Sequence, residues 1–99
     1  MKKESIIVTI EPDLKELLPG YLENRRKDTA RIWRALDEKN YEEIRIIGHN
    51  MKGSGGGYGL DAISKFGQRL ESAAAIQEPA NIIKTLAEIS DFLERLIVL

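Results

Sequence analysis

The chain has 99 residues, which is enough for one domain with a single modest core and too short for two. Apolar residues make up 42% and charged residues 31%, a balance typical of a folded chain rather than of a disordered one. The net charge of −1 and the mixing of basic with acidic residues give no electrostatic reason to expect nucleic acid or an anionic membrane as a partner.

Cysteine is absent and His49 is the only histidine, which excludes disulfides and thiolate metal sites and disfavours zinc. We therefore expect no metal and no cofactor. No apolar run approaches the length of a membrane span. The start "MKKESIIVTIEP" is a poor signal peptide, because Thr9, Glu11 and Pro12 interrupt its apolar run and no small-residue cleavage site follows. We expect a cytoplasmic protein.

Residues 1–12 are predicted to form an N-terminal extended segment, because "SIIVTI" at residues 5–10 is rich in β-branched side chains. One strand cannot form a sheet alone, and the tail "LIVL" at residues 96–99 is its candidate partner. From residue 13 the apolar period becomes helical, so we predict a helical domain over residues 13–99.

The first helical run contains a break. Apolar residues recur at three- and four-residue spacing over residues 13–36, but Pro19 and Gly20 interrupt them. Either a short helix ends near Leu18 and a longer one starts, or a single helix kinks at Pro19-Gly20. Trp33 lies among the apolar positions of this run and is predicted to belong to the core.

Three more helices are predicted after a polar turn. They start near Tyr41, Asp61 and Pro79, and proline suits the first turn of a helix. The apolar period of the last one continues through Leu96 and Ile97. Amphipathic helices joined by short turns predict an all-α fold, an antiparallel up-down-up-down four-helix bundle.

The stretch "HNMKGSGGGYGL", residues 49–60, places five glycines behind the only histidine. It is not a P-loop, because Ser54 stands where the lysine must be, and neither is it a dinucleotide loop, because Tyr58 and Leu60 replace the required glycine. Neither pattern has the required strand before it. The remaining alternatives are a flexible linker and a helix.

A helical wheel favours the helix. With His49 at zero, one compact apolar stripe falls between roughly 160° and 220° and consists of Ile44, Ile47, Met51 and Tyr58. This stripe continues through the glycines, which a linker would not explain. The helix is predicted to persist to about Gly57 and to end near Gly59, where a left-handed cap suits glycine.

The opposite side of this helix carries His49 and few large side chains. Within roughly 60° of the histidine lie Glu42, Arg45, Ile46, Lys52, Gly53 and Gly56. Each helical glycine costs about 1 kcal/mol relative to alanine, which indicates that something bulky must approach the ring. A neutral imidazole is a competent nucleophile toward a phosphoryl group, and Lys52 can stabilise the charge of that group.

These residues resemble the phosphorylation motif of histidine-containing phosphotransfer (HPt) domains, H-x-x-K-G-[SAG]-[SAG]-x-x-x-G-[AL]. The matching positions are His49, Lys52, Gly53, Ser54, Gly55, Gly59 and Leu60. The downstream "ISKFGQRLESAA" is similar to the family's next helix, and the resemblance is strong over residues 48–74. The additional glycines at Gly56 and Gly57 depart from the family pattern without removing a chemical group.

The resemblance implies that His49 accepts a phosphoryl group on Nε2, from the aspartyl phosphate of a response-regulator receiver domain or from a histidine kinase, and passes it on. Glu71 occupies the position from which family members hydrogen-bond the other ring nitrogen. A carboxylate that accepts Nδ1–H fixes the tautomer that leaves Nε2 with its lone pair. We expect a monomeric phosphocarrier, with the partner catalysing the transfer.

We expect the partner to contact the exposed side of the helix at Ile46, Arg45, Gly53 and Gly56, with Gly59 in a structural role. Two alternatives compete with the phosphocarrier. A bundle that only binds a receiver or kinase is disfavoured because its phosphoacceptor and lysine are intact. An enzyme such as a kinase or a phosphohistidine phosphatase is disfavoured by the lack of a nucleotide loop and a metal-binding acid cluster.

Overall fold

The computed structural model describes residues 4–99, so the first three positions of the predicted N-terminal segment lie outside the described residues. The described part is mostly helical. Its elements are β1 (Ile6–Val8), α1 (Pro12–Lys15), α2 (Leu18–Asp37), α3 (Tyr41–Gly55), a 3₁₀ turn (Gly56–Tyr58), α4 (Asp61–Ala75), α5 (Pro79–Arg95) and β2 (Leu96–Val98). No helix within residues 4–99 is both long and apolar enough to cross a membrane.

The structure has two separate helices, α1 and α2, where the sequence allowed either two helices or one helix kinked at Pro19-Gly20. The short α1 ends at Lys15 and α2 begins at Leu18, so the break precedes Pro19 instead of falling at Pro19-Gly20. Pro19 lies in the first turn of α2, where its missing N–H has no helical partner to lose. A single kinked helix is therefore wrong.

The four long helices enclose one core. Helix α3 packs along α4, α4 packs against α5, and α2 contacts both α3 and α5. The largest fully buried side chains are Ile32, Ile44, Met51, Leu60, Ile63, Leu70, Ile82, Thr85, Leu86 and Ile89. The prediction that Trp33 belongs to the core is wrong, because its side chain is 44% exposed. Its neighbour Ile32 faces the interior, and the next position on a helix is turned by about 100°.

The two ends of the chain meet in a small parallel ladder. Strand β1 pairs with β2 in the register Ile6 with Leu96 and Val8 with Val98. The backbone N–H of Leu99 extends the ladder by donating to the carbonyl of Val8 at 2.8 Å. The predicted pairing between the N-terminal segment and the tail is therefore confirmed.

This ladder corrects two other expectations. The fold is not purely α, and α5 ends at Arg95 instead of continuing through Leu96 and Ile97. Leu96 and Val98 are half-buried while Ile97 is exposed, and this alternation is the two-residue period of a strand. The apolar run at the end of the chain thus changes from helical to extended packing.

Candidate functional site

Helix α3 exposes one face and buries the other, as the helical wheel predicts. Ile44, Ile47 and Met51 are at most 3% exposed, whereas the His49 side chain is 62% exposed. The α-helix ends at Gly55, continues as the 3₁₀ turn, and stops at Gly59 with φ of 76°. The helical course through the glycines and the left-handed end at Gly59 are confirmed, although the last turn is tighter than an α-helix.

Three of the predicted site residues lie together. The Nδ1 atom of His49 is 2.8 Å from Oε2 of Glu71, and the Nζ atom of Lys52 is 3.0 Å from Oε1 of the same carboxylate. An ionised carboxylate only accepts hydrogen bonds, so Nδ1 donates. In the neutral ring the lone pair is then on Nε2, which is the nitrogen available for nucleophilic attack.

The two contacts of Glu71 also fix its charge. Hydrogen bonds from Lys52 and from His49 lower the pKa of Glu71 below its usual range, and they outweigh the opposing effect of desolvation. Glu71 is therefore ionised near neutral pH and holds a full negative charge between the imidazole and the ammonium group. Sequence reasoning did not foresee the contact with Lys52. The sequence feature that could have indicated this contact is the i, i+3 spacing of His49 and Lys52, because it puts both side chains within reach of one carboxylate.

Close packing of α3 against α4 brings Glu71 to His49. A Cβ atom built on Gly48 would lie 2.7 Å from the backbone nitrogen of Glu71, and one built on Gly67 would lie 2.6 Å from the carbonyl of Gly48. A Cβ atom on Gly55 would lie 2.6 Å from the backbone nitrogen of Ser64. These separations are shorter than real Cβ contacts, so only glycine permits this distance between the helices.

Sequence reasoning missed the packing role of Gly48 and Gly67. Gly48 and Gly55 are seven residues apart, which places them almost one above the other on α3. That spacing could have indicated a helix-packing surface on α3. It could not show that Gly67 is the residue on α4 that packs against this surface.

The other glycines near His49 are in different surroundings. A Cβ atom on Gly53 or Gly57 would meet nothing within 4 Å. Gly56 borders α4, and its N–H donates to Oγ of Ser64 at 2.8 Å. The space predicted on the histidine side of the helix is thus present at Gly53, whereas Gly56 is partly engaged with the neighbouring helix.

The remaining residues expected to contact a partner lie one turn before His49. Ile46 is 42% exposed. Arg45 donates two hydrogen bonds to Glu42, at 2.9 Å from Nε and 2.6 Å from Nη2, and this pairing lowers the pKa of Glu42. Arg45 is therefore bound within its own helix in this structure.

A second polar cluster holds the end of α3 against α2. The hydroxyl of Tyr21 is 2.8 Å from Oγ of Ser54, and Nη1 of Arg25 donates to the same oxygen at 3.4 Å. The Tyr21 ring stacks on the Tyr58 ring with centroids 4.0 Å apart, and the Arg25 guanidinium lies over the Tyr21 ring, 4.4 Å from its centroid. This cluster orders the glycine-rich segment that has few side chains of its own.

Comparison with known proteins identifies the family. The model of the Hpt domain family matches residues 16–97, and the chain belongs to this family. Comparisons with curated proteins and with solved structures gave no match. Hpt domains are phosphocarriers of phosphorelays rather than catalysts, and they interact with receiver domains and histidine kinases. Within residues 4–99 there is no group of three or more histidine, cysteine, aspartate or glutamate residues that could hold a metal ion.

Proposed function

We propose that this chain is a histidine phosphotransfer protein of a two-component phosphorelay, with His49 as its phosphoacceptor. The observation that carries the proposal is the 2.8 Å contact between Nδ1 of His49 and Glu71 on an exposed ring. It directs the lone pair of the neutral imidazole to Nε2, on a side chain that a partner's active site can reach.

The transfer from a receiver is an exchange of one bond for another. The Nε2 lone pair of His49 attacks the phosphorus of the aspartyl phosphate, the N–P bond forms, and the P–O bond to the aspartate breaks. Its electron pair stays on the departing carboxylate. The Nδ1 proton remains on the ring, where Glu71 stabilises the positive charge that develops. Lys52 supplies positive charge beside the phosphoryl group, and the receiver or kinase supplies the remaining catalytic groups.

The same proposal assigns the exposed face of α3 to the partner. Ile46 offers apolar contact area beside the histidine, and Gly53 leaves room for the partner's surface. Arg45 and Gly56 border this area, and docking would then compete with Glu42 for the Arg45 guanidinium. Gly59 ends the segment in its left-handed conformation.

We further propose that residues 13–99 form one domain in which helices α2 to α5 make an antiparallel up-down-up-down bundle, and that the predicted N-terminal extended segment, residues 1–12, precedes this domain. Short connections between consecutive helices support this topology, as do the contacts of α2 with both α3 and α5. The long helices then carry His49 on the side of the bundle, away from its core.

Phosphotransfer from a purified, phosphorylated receiver domain tests the function. The expected product is a label on this chain that is labile in acid and stable in alkali, as a phosphoramidate is. His49→Gln should abolish the label while the chain stays folded with only a small change in unfolding temperature, because the His49 side chain is 62% exposed. The unfolding temperature serves as the control for folding.

Two outcomes would contradict the proposal. A His49→Gln variant that labels as well as the wild type would exclude His49 as the acceptor. Receiver binding without any label on the wild-type chain would favour a module that only binds its partner.

A further inference from the structure

The carboxylate of Glu71 serves two cationic or potentially cationic groups at once. One oxygen accepts from Nδ1 of His49 at 2.8 Å, and the other accepts from Nζ of Lys52 at 3.0 Å. The Glu71 side chain is 20% exposed and Lys52 is 41% exposed, so the ion pair is accessible from solvent and can exchange partners. Glu71 thus fixes the imidazole and also occupies the lysine.

The contact between Glu71 and Lys52 matters because a phosphoryl group on His49 would compete with Glu71 for the ammonium group of Lys52. A phosphoryl group on Nε2 of His49 would bring new negative charge within one helical turn of the ammonium group. The ammonium group has three donors, but its charge is already compensated by Glu71 in this structure. The lysine must therefore loosen or share its bond to Glu71 before it can stabilise the phosphoryl group fully.

The other cation near the histidine is not equivalent. Arg45 interacts with Glu71 through space only, and its hydrogen bonds go to Glu42. The lowered pKa of Glu71 has its largest cause in Lys52 and the next in His49. Lys52 is thus the cation that Glu71 controls directly.

We propose that Glu71, besides orienting His49 as in the proposed function, is a positioning residue for Lys52 and restrains it so that the phosphorylated histidine is only partly stabilised. This inference rests on the proposed function, since it concerns the phosphorylated form of His49. A partly stabilised phosphoryl group is easier to pass on, because less binding energy has to be given up when it leaves.

Glu71→Gln separates the two roles. The amide oxygen of glutamine can still accept the Nδ1 proton, but a neutral amide cannot hold the ammonium group by charge. Lys52 is then released to the phosphoryl group. The phosphorylated histidine should become longer-lived, and Lys52 should contribute more to its lifetime than in the wild type.

A double-mutant cycle measures this coupling. Wild type, Glu71→Gln, Lys52→Met and the double variant are phosphorylated with phosphoramidate, and the first-order decay of the label is followed without any partner. The factor by which Lys52→Met shortens the lifetime should be at least about threefold larger in the Glu71→Gln background than in the wild-type background. Glu88→Gln is the matched control, since it also removes one acid that is bound to a cation, on α5.

A second readout reports on the lysine itself. In spectra of lysine labelled with ¹⁵N, the Nζ signal of Lys52 should differ between wild type and Glu71→Gln in the unphosphorylated protein. Equal lifetime factors in the two backgrounds, or an unchanged Nζ signal, would overturn the inference. Both results leave phosphorylation of His49 intact, whereas a wild-type chain that takes no label at all would overturn the proposed function instead.

Discussion

Five of the glycines in α3, in α4 and in the 3₁₀ turn between them form two regions with opposite surroundings. Gly48, Gly55 and Gly67 lie where the backbones of α3 and α4 touch, and no side chain would fit there. Gly53 and Gly57 face open space, where a side chain would meet nothing. The comparison shows that one residue type serves two purposes in this site. The packed glycines bring the helix of Glu71 close to His49, and Gly53 leaves space one turn after the histidine.

The largest effect is expected at the packed region. In Gly67→Ala the new Cβ would collide with the Gly48 carbonyl and with the backbone of Lys52, neither of which can move without separating the helices. We expect the free energy of unfolding to fall by about 2–3 kcal/mol, measured by urea denaturation. Hydrogen exchange should accelerate in both α3 and α4. An unchanged stability would mean that the helices can separate at little cost, and that glycine is not required there.

A smaller loss is expected where α2 holds the end of α3. Tyr21→Phe removes the hydroxyl that lies 2.8 Å from Ser54 while keeping the ring stacked on Tyr58. The expected loss of unfolding free energy is about 1 kcal/mol, measured by denaturant titration. Tyr58→Phe is the control, because that variant keeps the same stack and the Ser54 contact. Equal losses in the two variants would show that the hydroxyl contact contributes nothing.

At the open region a substitution of glycine should raise the free energy of unfolding instead of lowering it. Gly53 lies within α3, and in Gly53→Ala the added methyl group would meet no other atom within 4 Å. Because alanine favours the helix more than glycine does, we expect the free energy of unfolding to rise by about 0.5–1 kcal/mol. Under the proposed function, phosphotransfer from a receiver should slow more than labelling by phosphoramidate, since only the larger donor needs the space. A destabilised variant would show that Gly53 belongs with the packed glycines.

The smallest effect concerns acid stability. Hydrogen bonds from Lys52 and His49 lower the pKa of Glu71 in the folded state. In the pH range where this carboxyl group titrates, the folded state therefore binds fewer protons than the unfolded state. The stability contributed by Glu71 is therefore present above the ordinary glutamate pKa of 4.5 and is lost as the pH falls through the lowered value. Glu71→Gln should flatten this part of a plot of unfolding free energy against pH. Parallel curves for the two proteins would contradict the assignment.

Much of the helix pattern was readable from the sequence because it depends on neighbours three and four residues apart. The wheel placed His49 opposite Ile44, Ile47 and Met51, and the structure has the same arrangement. The same reasoning failed for Trp33, since apolar spacing gives the direction of a stripe but not its width. It also extended α5 through Leu96 and Ile97, where pairing with β1 selects a strand.

The site was readable only in part. His49 and Lys52 belong to one helix, and their spacing put them together. The position of Glu71 came from the family resemblance, and its bond to Lys52 was not anticipated. That bond depends on how far α4 lies from α3 and on how the two helices are aligned, which are distances between segments that are separated along the chain.

The sequence by itself determined the helices, the exposed histidine and the membership of the Hpt domain family, because these follow from local periodicity and a contiguous motif. Only the tertiary structure decided that Gly48 and Gly67 are packing residues, that the two chain ends pair in parallel with Ile6 opposite Leu96, and that one carboxylate holds both His49 and Lys52. The physical reason is that local spacing fixes which side of a helix a residue occupies. Contact with another helix depends on the packing of the whole core.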